Sequence, residues 1–339
     1  MNKVTIGIPV FRVENYIRRT MESALSQTYS NIEFLLVDDA SDDHTLEIID
    51  SIRQNHPRGK AVRILTHSIN QGVSESRNDI IDKATGDYLF FMDSDDVIDC
   101  NTISRMMYEI EMNQADVVFG SYERIGLSGE RNLFQYPKLY FEDSDSFADF
   151  AYQRYAGFQA SACNFVVKLS LIRKKHLRFF KADFWEDMAF TLNLVTMVNR
   201  AVLLPDITYT YLCRENSLSN SWHQEKINKD IIVQYFKAVA QLKTNEHNLR
   251  VKSYYPNRCY IAMMSDIYII CNILAKQAYI EPPFTNGELR NFIKHPASFF
   301  EILSFRQRRL QNIILYLLGK LPACITLLLI RLFSKYKGL

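Results

Sequence analysis

The chain has 339 residues, of which 47% are hydrophobic and 13% aromatic, and its formal net charge is +2. This length suits two domains, or one large domain with an extension, and the apolar content is ample for a buried core. A charge so close to zero, without interleaved basic and aromatic residues, argues against a nucleic-acid partner.

The cysteines are scattered, with no Cys-x-x-Cys pair: Cys100, Cys163, Cys213, Cys259, Cys271 and Cys324. This spacing favours neither a zinc site nor a disulfide framework. The N-terminus leads directly into an apolar, strand-like segment and lacks the pattern of a signal peptide. We therefore expect a protein of the reducing cytoplasm.

The first 125 residues alternate apolar strand segments with helical segments, joined by short links. The predicted strands are residues 4–9, 34–37, 62–65, 88–92 and 117–122, and the predicted helices are residues 13–27, 45–54, 74–84 and 102–113. This alternation implies right-handed crossovers. It therefore predicts a doubly wound α/β domain with a mostly parallel sheet.

The loops after the first four predicted strands share one edge of that sheet, where ligands of open parallel sheets bind. The fourth loop is the most informative, because an apolar strand ends directly in Asp93, Asp95 and Asp96. Carboxylates this close repel one another unless a positive charge lies nearby, and a hard divalent cation that holds phosphate oxygens suits them. The loop therefore predicts a metal–nucleotide site.

Six motifs occur in order along this part of the chain. They are Pro-Val-Phe at 9–11, Val-Asp-Asp-Ala-Ser-Asp-Asp at 37–43, Asn-Gln-Gly at 70–72, Ser-Arg-Asn at 76–78, Ala-Thr-Gly-Asp-Tyr at 84–88 and Phe-Met-Asp-Ser-Asp-Asp at 91–96. Together they resemble the family 2 glycosyltransferases, closely over the first 125 residues and more thinly to residue 220. The resemblance implies a GT-A fold over residues 1–222, followed by a helical C-terminal region over residues 223–339.

The resemblance also implies a reaction. Family 2 enzymes transfer a sugar from a nucleotide-sugar donor to an acceptor, usually with inversion at the anomeric carbon. By position, Phe11 would pack near the nucleobase and Asp39 would accept a uracil N–H, which favours a UDP-sugar. The alternative for Phe11 is a core aromatic under the sheet edge.

The diphosphate side of the donor site follows from the same resemblance. Arg77 would lie near the diphosphate, Asp93 would touch the ribose or the metal, and Asp95 would bind the metal. The other residues that we assign to donor binding are Pro9, Asn70, Gly72 and Ser94. The alternative for Arg77 is an ordinary solvated helix residue.

A divalent cation fits these roles because the departing nucleotide diphosphate carries negative charge that a Lewis acid neutralises. Mg²⁺ and Mn²⁺ both accept carboxylate and phosphate oxygens. We expect one of these two ions as the cofactor.

An inverting transfer needs a base that deprotonates the acceptor hydroxyl. The segment Phe-Trp-Glu-Asp-Met-Ala-Phe at 184–190 resembles the Glu-Asp motif of family 2 enzymes, in which the aspartate is the usual base. We therefore assign Asp187 as the base and Glu186 as a supporting residue or a metal neighbour. The simpler alternative is a pair of acids that favours a helix N-terminus, and both roles can hold together.

The stretch from Tyr211 to Ser219 resembles the Tyr-x-x-Arg-x-x-Ser-x-Ser sequence that closes many of these catalytic domains. Its arginine, Arg214, pairs well with phosphate oxygens and would steady the diphosphate. His223 is a weaker candidate for a metal or phosphate contact, because a lone histidine is more often a surface residue.

The C-terminal third loses the strand–helix alternation and has helical character. Its apolar segments 313–318 and 323–330 are too short for a transmembrane helix and are flanked by basic residues. Such a tail suits the surface of a bilayer. Helices that pack on the domain or form a homodimer are an equal alternative.

The leading hypothesis is an inverting, metal-dependent glycosyltransferase that builds a cell-surface polysaccharide or another glycan in the cytoplasm, at the inner face of the membrane. Its partners would be a nucleotide-sugar and a glycan or lipid-linked acceptor. Phosphoryl transfer through an aspartate is disfavoured, because the matching loops lack a convincing lysine. The remaining alternative is a catalytically inactive nucleotide-sugar-binding or scaffold protein, against which the intact Asp93, Asp95 and Asp187 argue.

Overall fold

A computed structural model describes residues 1–154, 157–182, 184–214, 226–244 and 247–337. The chain divides into two compact units. Unit 1 comprises Met1–Phe147, Gln159–Lys181 and Asn193–Glu215, and unit 2 comprises Ala148–Phe158, Ala182–Leu192 and Asn216–Leu339. The predicted boundary between residues 222 and 223 lies outside the described residues and stays a prediction.

Unit 1 is built around a ten-stranded sheet. Its strands are β1 (Val4–Val10), β2 (Ile32–Asp38), β3 (Val62–Thr66), β4 (Tyr88–Phe91), β5 (Val97–Ile98), β6 (Val117–Ile125), β7 (Arg131–Phe134), β8 (Leu139–Phe141), β9 (Phe165–Lys168) and β10 (Ala201–Leu212). The helices up to residue 194 are α1 (Ile17–Leu25), α2 (Thr45–Asn55), α3 (Val73–Lys83), α4 (Thr102–Asn113), α5 (Ser144–Gln153), α6 (Leu169–Lys174) and α7 (Glu186–Leu194).

The strand order is β3-β2-β1-β4-β9-β6-β10-β5, with β7 beside β6 and β8 beside β10. The first four strands in this order are all parallel. Beyond them β9 is antiparallel to both of its neighbours, β4 and β6, while β10 is parallel to β6. The predicted α/β fold is confirmed, and its parallel part is the half that carries the sequence motifs.

The parallel strands are apolar because helices cover them. β1 and β2 are buried at every position, as expected of central parallel strands. Helix α3 lies so close to β1 that a Cβ on Gly7 would stand 2.3 Å from Cγ2 of Ile80. Glycine at this position therefore lets α3 settle onto the sheet, which places the start of that helix at the sheet edge.

Unit 2 is mainly helical, as predicted for the C-terminal region. Its further elements are α8 (Lys229–Ala240), α9 (His247–Arg250), α10 (Tyr255–Ala275), α11 (Asn286–Phe292), α12 (Phe299–Ser304), α13 (Arg309–Leu318) and α14 (Ala323–Lys337), with a strand pair β11 (Ile227–Asn228) and β12 (Ile280–Glu281). Capping boxes start α11 at Thr285 and α12 at Ser298.

Helix α10 is the apolar centre of unit 2. Among the described residues it is the one helix whose length and composition would suit a membrane span, yet 67% of its apolar window is buried inside the protein. A core helix has these same properties. Tyr255 and Cys259 on α10 pack with Ile302 and Phe305 of the α12 region, so α10 forms part of a core.

Candidate functional site: a carboxyl-edge site in unit 1

The parallel ladder continues past the strand ends and brings the loops to one edge of the sheet. The N–H of Asp39 donates to the carbonyl of Val10 at 2.8 Å, and the N–H of His67 donates to the carbonyl of Asp38 at 2.8 Å. The loop with Asp39 follows β2 and the acidic loop follows β4. Only β1 separates these strands, so the two loops emerge about 10 Å apart across the sheet.

Asp39 holds the loop that follows β3. Its buried carboxylate accepts the N–H of Gln71 at Oδ1 and that of Gly72 at Oδ2, both at 2.8 Å. Nδ1 of His67 lies 2.6 Å from Oδ1 of Asp39, and its Nε2 lies 2.8 Å from Oδ2 of Asp79. Both ring nitrogens can donate only in the imidazolium form. Burial lowers the pKa of His67, but the hydrogen bonds to the two carboxylates outweigh it and raise that pKa overall.

Helix α3 connects this loop to the acidic turn. Gly72 precedes the helix with φ 93° and ψ 159°, a conformation confined almost entirely to glycine. In the second turn, Nη2 of Arg77 donates to Oδ1 of Asp93 at 3.0 Å, and the arginine side chain is only 8% exposed. Its guanidinium lies 5.3 Å from the ring centre of Phe179, whose backbone is held on both sides by the amide of Asn78. Arg77 is therefore buried and paired, so the alternative of a solvated helix residue is wrong.

The turn after β4 is braced by two neighbouring elements. The buried hydroxyl of Thr20 on α1 lies 3.0 Å from the carbonyl of Ser94 and 2.9 Å from that of Asp96. The hydroxyl of Tyr209 on β10 donates to Oδ2 of Asp96 at 2.7 Å and accepts the N–H of Asp93 at 3.1 Å. Burial, and then the neighbouring carboxylates, raise the pKa of Asp96 well above its usual range. Asp96 thus fixes the turn from inside the protein.

Asp95 points its carboxylate to a partly open part of the turn. It forms a salt bridge with Nε of Arg214, and its backbone carbonyl accepts Nη2 of Arg19 at 2.9 Å. Burial and the charge of Asp93 raise the pKa of Asp95, and the ion pair with Arg214 offsets this only in part. Both guanidinium groups lie over the ring of Tyr16, at 5.2 and 5.4 Å. Fixed positive charges therefore stand directly beside the acidic turn.

The donor atoms at this turn fit a hard divalent cation in part. Asp93 and Asp95 offer carboxylate oxygens. Burial, and then the repulsion by Asp93, raise the pKa of Asp95, and a bound cation would favour its ionised form. Within the described ranges, no group of three or more His, Cys, Asp and Glu side chains is placed to hold a metal. Such an ion would therefore draw most of its oxygens from a bound ligand or water, as Mg²⁺ commonly does.

The remaining donor-site candidates differ in exposure. Phe11 lies just beyond β1 and is 38% exposed, so it is not the core aromatic of the alternative interpretation. The guanidinium of Arg12 lies 5.1 Å from its ring centre. Pro9 is buried within β1, whereas Asn70 is exposed on the loop clamped by Asp39. An exposed ring and an exposed amide, each on a loop at this edge of the sheet, suit a ligand there.

The predicted acid pair lies in unit 2, at the start of α7. Glu186 is 5% exposed, and Oδ1 of Asp187 accepts the N–H of Met188 at 2.6 Å. Trp185, the preceding residue, has φ 73°, and its buried indole N–H has no hydrogen-bond partner among the described residues. Both acids stand in the first turn, where they favour the helix dipole. The role of Asp187 as a base stays a prediction, and His223 lies outside the described residues.

Several residues of the unit 1 network were not among the predicted site residues, and His67, Asp79, Phe179 and Tyr209 are four of them. His67 directly follows β3 at the ligand edge, which was the one available signal. The partners of Phe179 and Tyr209 are about 100 positions away in sequence. No local pattern marks such contacts.

Comparisons with known proteins agree with this geometry. The family model "Glycosyl transferase family 2" matches residues 5–176, just over half of the chain. Glycosyltransferase GlyA of Streptococcus pneumoniae is 30% identical over 66% of this chain and 32% of its own length. The poly(ribitol-phosphate) beta-glucosyltransferase of Bacillus spizizenii is 28% identical over 63% of this chain and 33% of its own length. The chain thus spans about a third of the length of these curated relatives.

A solved structure shares the fold. The crystal structure of S. aureus TarS 1-349 in complex with UDP-GlcNAc superposes with a TM-score of 0.64 at 17% identity, over 99% of this chain and 92% of that one. This likeness confirms the predicted GT-A type of fold with C-terminal helices. Because the family model spans just over half of the sequence, the chain belongs to glycosyl transferase family 2.

Proposed function

We propose that this glycosyltransferase transfers a sugar, with inversion, from a nucleotide-sugar to a glycan or lipid-linked acceptor in cell-surface polysaccharide synthesis. One observation carries the proposal. In a family 2 chain, an exposed aromatic ring, a clamped loop and an arginine-flanked acidic turn meet at the carboxyl edge of one parallel sheet. This is where an open α/β sheet binds its ligand.

The donor half of the mechanism uses residues of unit 1. Phe11 offers its exposed face for stacking on the base, and the clamped loop with Asn70 and Gly72 lines the same edge. Arg77 and Arg214 supply fixed positive charge where the diphosphate would accumulate negative charge as the sugar leaves. Because Arg77 is already held by Asp93 and lies over the ring of Phe179, its guanidinium needs little reorganisation when the ligand arrives.

The role of Asp39 is refined by its contacts. Its oxygens already accept two backbone N–H groups and the His67 ring. These three donors leave one of the roughly four acceptor positions of the carboxylate for a uracil N–H. A UDP-sugar remains the donor that we favour. The TarS complex with UDP-GlcNAc supports this choice by analogy of fold alone.

Asp93 and Asp95 would hold the divalent cation, Mg²⁺ or Mn²⁺. When bound, the ion would neutralise the leaving diphosphate as a Lewis acid. Arg214 forms a salt bridge with Asp95 in the structure, and it would pair with the phosphates instead if Asp95 held the ion. This exchange keeps each charged group paired in both states.

Asp187 is our proposed base and Glu186 its support. A base needs hydrogen-bond access to the acceptor hydroxyl and a carboxylate that is ionised near neutral pH. The proposal rests on the family motif and on the unusual backbone of Trp185 immediately before the acids, since strained residues cluster at functional sites. Residues 1–222 would form the catalytic domain.

The names of the relatives support a surface polysaccharide as the acceptor. One acts on poly(ribitol-phosphate), a polymer that offers repeated hydroxyl groups to a glycosyltransferase. We also propose that the enzyme acts in the cytoplasm, at the inner face of the membrane, where nucleotide-sugars and lipid-linked acceptors meet. The sugar and the linkage are set by pockets that the fold does not dictate.

The test is a panel of nucleotide-sugars incubated with the enzyme and Mn²⁺ or Mg²⁺, with release of the nucleotide as readout. We expect the wild type to release the nucleotide from one UDP-sugar. Asp187→Asn should lose this nucleotide release while it keeps UDP binding. The matched control is Asp230→Asn, an exposed acid in the first turn of α8, which should retain turnover. Binding of UDP without any turnover by the wild type would favour the inactive scaffold, and no binding would refute the proposal.

A further inference from the structure

The last two helices of unit 2 each expose an apolar face. On α13 the exposed side chains are Leu310, Ile314 and Leu317, and on α14 they are Ile325, Leu328, Leu329, Leu332 and Tyr336. Both sets follow helical spacing, so each forms a stripe on one side of its helix. We call these residues the α13–α14 surface. Contiguous exposed apolar surface commonly marks an interaction site.

The charged residues of the chain that follows Glu301 all have the same sign. After Glu301 the described chain contains no further Asp or Glu, whereas it contains seven basic residues: Arg306, Arg308, Arg309, Lys320, Arg331, Lys335 and Lys337. None of these seven forms an ion pair with a carboxylate in the part of the chain that the structure describes. The surface therefore combines bare apolar side chains with uncompensated positive charge.

The two helices are fixed in place and are not a loose tail. The buried Asn312 on α13 donates to the carbonyl of Pro256 at 3.1 Å and contacts Nε2 of His295 at 2.9 Å. The hydroxyl of Thr326 on α14 donates to the carbonyl of Leu318 at 3.0 Å, which ties the start of α14 to the end of α13. The inner sides are thus used for packing, and the outer sides remain for a partner.

The positive charge of this surface favours an anionic binding partner. A second copy of this chain would bring seven like charges against seven, which costs free energy. A membrane span is excluded for these helices by length, since α14 has 15 residues and a span needs about 20. An anionic lipid bilayer, in contrast, offers phosphate head groups to the basic residues and acyl chains to the leucines.

We infer that the α13–α14 surface binds anionic membranes peripherally, with both helices lying in the interface. This inference goes beyond the proposed transferase activity, and it does not depend on the donor site. It does give that activity a location, because lipid-linked acceptors lie in the same bilayer.

The test is co-sedimentation of the full chain with two kinds of vesicle, phosphatidylcholine alone and phosphatidylcholine with phosphatidylglycerol in equal parts. The charge variant combines Arg331→Gln, Lys335→Gln and Lys337→Gln. Each basic residue near an anionic surface contributes about fivefold in partitioning, so this variant should bind the mixed vesicles on the order of 100-fold more weakly. The matched control neutralises three exposed lysines of unit 1, Lys60, Lys83 and Lys174, and should bind like the wild type.

A second variant removes apolar contact. Leu317→Ser, Leu328→Ser and Leu332→Ser alter side chains that are at least half exposed, so the fold should survive, as circular dichroism would check. Binding should fall at least tenfold. The wild type alone supplies a further check: raising salt from about 0.01 M to about 1 M shortens the Debye length from about 30 Å to about 3 Å and should release most of the bound protein.

Several outcomes would overturn the inference. These are a wild type that pellets with neither vesicle, equal binding to both vesicles, a control that weakens as much as the charge variant, or a solution dimer that the serine variant dissociates. Calorimetry with UDP on the same proteins separates this question from the proposed function. Failure to bind vesicles with normal UDP binding would refute the membrane surface alone.

Discussion

Asp39→Asn tests whether the carboxylate of Asp39 clamps the loop that follows β3. The side chain is 3% exposed and accepts three hydrogen bonds, two from backbone N–H groups and one from His67. An asparagine amide has the same shape, but one of its two acceptor oxygens becomes an NH₂ donor. That donor must face either the N–H of Gly72 or the N–H and imidazole on the other side. At least one buried donor therefore loses its acceptor.

The expected loss of stability in Asp39→Asn follows from these contacts. A hydrogen bond to a charged group contributes about 1.5–3 kcal/mol, and losing one partner leaves the other unsatisfied. We expect unit 1 to lose about 3 kcal/mol of its free energy of unfolding. For a unit of this size each kcal/mol lowers Tm by about 2–4 °C, so the expected fall is about 6–12 °C. UDP affinity should fall with it, because Asn70 and Gly72 lie on the released loop.

The assay is a thermal melt together with UDP calorimetry. The control is Asp42→Asn. In the part of the chain that the structure describes, the ion-pair partner of Asp42 is the exposed Arg12, so this variant should leave Tm unchanged. An Asp39→Asn protein that melts like the wild type would refute the clamp. Lost UDP affinity at an unchanged Tm would mean that Asp39 acts on the ligand alone.

Three further predictions concern the same edge. The folded-state pKa of His67 is raised above 6.5, so the stability that its protonation contributes is fully present below that pH and is lost as the pH rises through the raised value. The Tm of the wild type should therefore fall across this pH range more than the Tm of His67→Gln. Equal pH slopes for the two proteins would contradict the hydrogen bonds of His67 to Asp39 and Asp79. Gly72→Ala places a Cβ at φ 93° and should cost about 1–3 kcal/mol in a melt, whereas Gly287→Ala, with open space around it, should be tolerated. Phe11→Ala should keep the wild-type Tm but weaken UDP binding in calorimetry by about 1–3 kcal/mol through lost stacking. Unchanged UDP affinity would remove Phe11 from the donor site.

Much of unit 1 could be predicted from the sequence because its parallel half is locally consistent. β1, β2 and β4 are apolar runs that end in polar loops, and right-handed crossovers then allow few arrangements. The predicted helix over residues 13–27 is shorter in the structure, Ile17–Leu25. Its first residues form a turn, in which the N–H groups of Tyr16 and Ile17 both donate to the carbonyl of Val13 at 2.9 Å.

The other half of the sheet could not be predicted in the same way. β9 is a four-residue strand that enters between β4 and β6, and nothing local distinguishes it from an edge strand. The site shows the same limit. The acidic turn was visible in sequence, but its bracing by Tyr209 and the pairing of Asp39 with His67 arise from contacts between distant segments.

Calorimetry of UDP binding with and without Mn²⁺ shows whether the acidic turn holds a cation together with a nucleotide diphosphate. We expect that Mn²⁺ strengthens UDP binding to the wild type, that Asp95→Asn abolishes this gain, and that Asp99→Asn, an exposed acid outside the turn, preserves it. UDP binding that responds neither to Mn²⁺ nor to Asp95→Asn would show that the acidic turn holds no such cation.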